Sequence, residues 1–196
     1  MDAIAVLKRD HEEVERLFRQ FEKLTERAHR SKQKIVMKII RELAIHAAVE
    51  EMLFYPAVRT AALKANVRTL KEAADTVLES LEEHHVVKWT LSELDGLDPA
   101  HERFDAKVKV LIESVRRHVK EEEKELFPAV SKGCSRAYLD ELGESLAKAK
   151  QSAPTHPHPR SPDEPPDNIV AATGAAMVDK ARDAGRAVLR KTLAKR

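Results

Sequence analysis

The sequence predicts an all-α protein: an up-down-up-down four-helix bundle with one extra short helix, then a Pro-rich linker and a basic C-terminal tail. Three observations carry that expectation. The 196 residues hold only five Gly and 4% aromatics but are 35% charged, a composition that favours helices over a sandwich or barrel. Apolar residues recur at alternating steps of three and four through four long stretches, which is the spacing of one helix face. Capping and stopping residues punctuate those stretches and leave only short connections between them.

Taken in order, the first helix is expected from about Asp2 to His29, with the stripe Ile4, Leu7, position 11, Val14, Phe18, Phe21. Ser31 is suited to cap the second, which carries Val36, Ile39, Leu43, positions 46 and 50, then Leu53. Pro56 lacks a backbone donor and is expected to end or kink it. Asn66 or Thr69 starts the third helix, Thr69 with Glu72 matching a capping box, and its stripe is Val77, Leu81, position 84, Val87, Leu91, Leu94. Gly96 closes that helix, and Asp98-Pro99 offers a cap with proline at the first helical position. The fourth carries Phe104, Val108, Leu111, Val115, positions 118 and 122, and Leu126, ending near Pro128. A shorter amphipathic helix around Tyr138, Leu139, Leu142 and Leu146 covers one side.

Three parts follow: a bundle over 1–150, a linker over 151–168 and a tail over 169–196. Six of the nine Pro fall between Pro154 and Pro166, a composition suited to an extended linker rather than a packed core. The tail has seven basic and two acidic residues, hence +5, which leaves −3 for the rest of a chain whose net charge is +2. The bundle therefore has no electrostatic footprint for nucleic acid. The tail's apolar residues are mostly Ala, which bury little area, so it reads as marginally helical or disordered. Its charge suits an acidic partner or an anionic surface. One Cys excludes a disulfide framework and a Cys-based zinc site, and Cys134 gives no Cys/His catalytic signal. No apolar run approaches the roughly 18 residues of a membrane span. The start, MDAIAVLKRDHEEVE, turns acidic too soon for a secretory signal, so a cytoplasmic protein is expected.

Function is written where the stripes are broken. His11, His46, Glu50, His84, His118 and Glu122 occupy positions that periodicity assigns to the core. A buried carboxylate costs several kcal/mol unless it is paired or metal-bound. Four imidazoles and two carboxylates at one level of a bundle therefore call for a shared cation, and both groups ligate first-row metals. His and Glu four apart share a helix face one turn apart. Composition alone predicts about one His-x-x-x-Glu. The chain has three, and only Glu50 and Glu122 fall inside a stripe, Glu15 lying beside one.

A repeat adds weight: HAAVEEMLFYPAV (46–58) aligns with HVKEEEKELFPAV (118–130), and His11, Val14, Phe18 with His84, Val87, Leu91. Two similar hairpins, each with a single-His helix and a His-plus-Glu helix, would pack into a site for two ions about 3.5–4 Å apart. His85 is an alternative to His84, and the flanking apolar residues favour His84. Tyr55 is placed to donate a hydrogen bond beside the site or to plug a helix end. Glu51 and Glu123 reach the site only if their helices rotate. His156 and His158 sit in the linker, and Trp89 suits a helix interface.

The strings RDHEEVERLF, IHAAVEEMLFYP, EEHHVVKWTL and HVKEEEKELFP make residues 1–150 resemble the hemerythrin-like, HHE cation-binding family. The resemblance implies a four-helix bundle holding a non-haem di-iron centre, with His11, His46, Glu50, His84, His118 and Glu122 as ligands and the two Glu as bridges. Iron follows from the resemblance; the ligand set alone admits manganese or zinc. Oxygen-carrying members have a further His four after the third-helix His, where Lys88 stands here, and an Asp five after the last His, where Glu123 stands. The chain thus looks like the four-His, two-Glu bacterial subgroup, linked to peroxide decomposition, oxygen or nitric-oxide responses and iron homeostasis. Both an enzyme and a non-enzymatic sensor are compatible with that resemblance, and a metal-free structural bundle is the bland alternative.

Overall fold

In the computed structural model, residues 1–65 and 68–193 are described, and all of their regular structure is helical. The order is α1 (Ala3–Glu22), α2 (His29–Val49), a π-helical turn (Glu50–Phe54), α3 (Tyr55–Ala65), α4 (Arg68–Leu94), α5 (Phe104–Glu121), a second π-helical turn (Glu122–Leu126), α6 (Phe127–Gly133), α7 (Arg136–Ala149) and α8 (Asp167–Leu193). Helix α1 packs along α2 and α7, and α4 along α3 and α5. Among the described residues no helix is long and apolar enough to cross a membrane.

Local chemistry explains most boundaries and corrects several expected ones. Asp2 caps α1 by accepting from the Ala5 amide at 2.8 Å. That helix stops at Glu22 rather than near His29, in a turn where the Leu24 amide bonds Phe21 and the Ala28 amide bonds Thr25. Helix α2 therefore starts at His29, with Ser31 inside it and no side-chain cap. Gly96, at φ 95, ends α4 as expected. Asp98 accepts from the Ala100 amide in a turn, and α5 begins only at Phe104. Ser135 caps α7 through the Tyr138 amide. Asn66 lies outside the described residues, and Thr69 falls inside α4.

Neither Pro56 nor Pro128 stops its helix. Each follows a π-helical turn, in which the Tyr55 amide bonds the Glu50 carbonyl and the Phe127 amide the Glu122 carbonyl. A proline ring crowds the carbonyl four residues back and offers that carbonyl no donor, and the wider i→i−5 turn relieves both problems locally. The extra residue also shifts the apolar register. Phe54 is fully buried whereas Leu53, expected in the stripe, is only half-buried.

The other predicted stripe residues are buried and fall into two clusters. Ile4, Leu7, Val77, Leu81 and Leu126 belong to one, together with Phe54, Tyr55 and Phe127. Val14, Phe18, Leu43, Val87, Leu91, Phe104 and Val115 belong to the other. On each helix the interrupting His falls between members of the two clusters, so the polar residues form a layer across the core. Trp89 is largely exposed, contrary to its expected interface role, and donates to His85 Nε2 at 3.1 Å.

The Pro-rich stretch is not a free linker. Ala153 and His156 are buried, Asn168 at the head of α8 is 4% exposed, and α8 runs as a helix along its described length. Polar anchors rather than apolar area hold this strap. His156 bonds Asp95 through Nδ1 at 2.9 Å and Asp183 through Nε2 at 3.1 Å. Asp179 accepts from the backbone amides of Thr155 and His156.

Gly143 lets α7 touch the N-terminus: a Cβ there would lie 2.2 Å from the Met1 carbonyl oxygen and 2.7 Å from the Asp2 carbonyl carbon. Backbone on both sides cannot yield cheaply. Gly143→Ala is therefore expected to destabilise the fold by about 1–3 kcal/mol, read as a lower melting temperature of the metal-free protein.

Candidate metal centre

The structure brings all six predicted residues together in the polar layer, each at most 5% exposed. His46 Nε2 lies 3.1 Å from Glu50 Oε2, and His11 Nε2 lies 3.3 Å from Glu122 Oε2. His84 Nε2 is 3.5 Å from Glu50 Oε2, and His118 Nε2 is 3.5 Å from Glu122 Oε2. The imidazoles pair as the repeat suggests: His11 with His46, centroids 4.9 Å apart, and His84 with His118 at 4.8 Å. His85 is turned to Trp89, and His84 is the one that lies in the layer.

Donor atoms converge in two groups, His11, His46, Glu50 and Glu122 in one and Glu50, His84 and His118 in the other. Glu50 belongs to both, as a carboxylate shared by two ions would. Tyr55 sits at the same level and is fully buried. Its hydroxyl donates to Glu122 Oε1 at 3.0 Å and lies 3.2 Å from His84 Nε2.

Each of the four imidazoles faces a carboxylate with its outer nitrogen. Glu123 meets His11 Nδ1 at 2.9 Å, Glu51 meets His84 Nδ1 at 3.1 Å, and Glu83 meets His118 Nδ1 at 2.8 Å. Asp10 Oδ2 stands 3.6 Å from His46 Nδ1. A carboxylate accepts only from N–H, so the contacts to His11, His84 and His118 place a proton on Nδ1. In the neutral ring they leave an Nε2 lone pair facing inward, the tautomer a metal requires. The Asp10–His46 gap is too long for such a hydrogen bond. Three of the four carboxylates are matched by a cation: Asp10 by Lys150, Glu51 by Lys88 and Glu83 by Arg117.

These outer carboxylates are what the sequence reading misses. Glu51 and Glu123 appear there only as remote extra ligands, and Asp10 and Glu83 not at all. The available signal was the acidic residue directly before His11 and before His84 in both hairpins.

Protonation follows from burial. Glu50 is pushed well above the carboxylate range by burial, with the Glu122 charge adding to it. Burial also works against ionised Glu122, but His118 and His11 outweigh it and hold that carboxyl below its ordinary value. Burial lowers His46 to about 4 and lowers His84 as well. For His118 burial is outweighed by the Glu122 charge and the Glu83 hydrogen bond, and the net shift is upward. Tyr55 is raised well above its usual value, first by burial and then by the two Glu charges, so it stays a phenol donor.

The layer is short of positive charge, and its polar atoms show the same lack. His11 Nε2, His46 Nε2, Glu50 Oε1 and Glu122 Oε2 are buried and have no hydrogen-bond partner among the described residues. His84 Nε2 and His118 Nε2 face each other at 3.2 Å. Cations among these atoms would satisfy them all, so the residues fit a metal centre. Beside the imidazoles lies a cavity of about 20 Å³, walled by Val14, Leu43, Ala47, Val87, Val115 and Val119, which is room for a water-sized molecule. A larger groove of about 720 Å³ between α1 and α5 reaches His11 and Glu123 from outside.

Fold and site together define a helical bundle whose core carries two adjoining His/Glu cation clusters. The chain belongs to the hemerythrin HHE cation binding domain family, whose model matches residues 2–130. It is 30% identical over 146 residues to an uncharacterized hemerythrin-like protein of Schizosaccharomyces pombe, covering 74% of this chain and 68% of that one. It is 26% identical over 145 residues to a DNA nickase of a Nostoc species, covering 74% of this chain but only 38% of that protein. Among solved structures, a hemerythrin HHE cation binding domain-containing protein of Mycobacterium kansasii shares the fold with a TM-score of 0.59 at 24% identity, covering 77% of this chain and 86% of that one.

Proposed function

We propose that residues 1–150 hold a non-haem di-iron centre that reacts with, or senses, small oxidants: peroxide, oxygen or nitric oxide. The observation that carries the reading is the pair of donor groups sharing Glu50, with inward lone pairs fixed by carboxylates behind the imidazoles. His11 and His46 would hold one ion, His84 and His118 the other, with Glu50 and Glu122 as bridges. Family membership supports iron; manganese and zinc are compatible with the same donors. When bound, the ions supply redox and Lewis-acid chemistry. The chain's residues do the rest. Tyr55 donates to Glu122 and supplies a proton at its hydroxyl beside the cluster. The valine-lined cavity has room only for a water-sized molecule and would restrict the centre to small ligands. The lone Cys suits a reducing, cytoplasmic setting.

Anaerobic iron loading should give about two Fe per chain with near-ultraviolet absorption of a bridged di-iron centre. Loss of both signals is expected in the Glu50→Ala, Glu122→Ala double variant, and a stoichiometry near zero in the wild type would overturn the reading. Oxygen evolution from peroxide that His118→Ala abolishes supports catalase-like turnover. A second reading, a non-enzymatic sensor or iron-homeostasis protein, draws support from the C-terminal strap, which sits against the centre and leads into the basic tail. Metal-dependent binding of the tail to an acidic partner or an anionic surface without turnover would favour it.

A further inference from the structure

One chain of contacts runs from the Pro-rich strap to a candidate ligand. His84 donates through Nδ1 to Glu51 at 3.1 Å. Glu51 is 6% exposed and is held on its other side by Lys88 Nζ, which lies 3.0 Å from Oε1 and 3.1 Å from Oε2. Lys88 is itself buried and makes a close ion pair with Asp163 of the strap. The same strap grips Glu51 a second time, because the Asn168 side-chain amide donates to the Glu51 carbonyl at 3.0 Å and to the Asp163 carbonyl at 3.0 Å. These strap residues lie beyond the 2–130 stretch that the family model matches.

Energetics give the contacts a purpose. A buried ammonium with a single carboxylate partner would draw that carboxylate toward itself and away from the imidazole. The two acids flanking Lys88 share its charge, so that Glu51 Oε1 meets Lys88 and the His84 Nδ1–H together. Carboxylates behind metal-binding imidazoles set ring orientation and ligand basicity, and their loss costs about 10–100-fold in metal affinity.

We propose that Lys88, Asp163 and Asn168 are positioning residues for the ion held by His84 and His118, so that the C-terminal strap is a working part of the metal centre. The inference rests on the di-metal reading of the site. It assigns Lys88, which stands where oxygen-carrying relatives have a further His, the role of fixing His84 through Glu51.

Cobalt(II) titration of the full-length protein tests this, with visible d–d absorption and total bound metal as readouts. Wild type should take up two ions. Asp163→Asn and Lys88→Met should keep the first ion at unchanged affinity and bind the second about 10–100-fold more weakly, with an altered spectrum for that ion alone. Asp163 is only partly buried, so its variant tests the proposal even where Lys88→Met folds poorly. Two ions bound at wild-type affinity with an unchanged spectrum in Asp163→Asn would overturn the positioning role and leave the metal centre standing. A wild type that binds no ion would overturn the metal-centre reading, and this proposal with it.

Discussion

Glu50→Gln is expected to raise the thermal stability of the metal-free protein and to abolish the two-ion uptake proposed for it. Burial and the Glu122 charge push the Glu50 carboxyl well above its ordinary 4.5. The folded chain therefore holds that proton more tightly than the unfolded chain does. The stability this contributes is complete below about pH 4.5 and is lost as pH rises through the folded value. Each unit of displacement is worth about 1.4 kcal/mol, and each kcal/mol shifts the melting temperature of a chain this size by about 2–4 °C. Glutamine matches the protonated shape and does not titrate. The variant's melting curve should run together with wild type in acid and lie several degrees above it at neutral pH, both measured in chelator. Added metal should reverse the order, since only the wild type supplies the shared carboxylate. A Gln variant less stable than wild type at neutral pH would show that Glu50 earns its place without metal.

Metal affinity is expected to fall steeply with acid across the neutral range. Binding must displace the protons that Glu50 and His118 hold more strongly than usual. His46, lowered to about 4, is ready as a neutral ligand and adds nothing to the slope, and His84, which burial also lowers, adds less than an ordinary imidazole would. Competition against a chromophoric chelator from about pH 8 to about pH 6 should show close to tenfold weakening per pH unit for each proton displaced. A flat profile would mean that metal binds without displacing the Glu50 proton.

How much of this the sequence discloses depends on the distance over which each feature is decided. His11, His46, Glu50, His84, His118 and Glu122 are readable because a single helix's periodicity puts them in a core stripe, where polar groups are costly. The layer of outer carboxylates is not readable that way. Asp10 serves His46 and Glu123 serves His11 across helix–helix gaps that only packing fixes. Pro56 was a sound stop signal locally, overridden because the π-helical turn before it absorbs the ring. The Pro-rich stretch reads as free chain because its anchors are polar: His156, Asn168 and Asp179 find partners on distant segments rather than burying apolar faces.

The exchange of partners between the two hairpins has one last consequence. Glu51 of the first hairpin serves His84 of the second, and Glu123 of the second serves His11 of the first. Each donor group likewise draws from both, through Glu122 in one and Glu50 in the other. Neither half alone therefore carries all the donors of either group, and the proposed centre is complete only where the two halves are docked together.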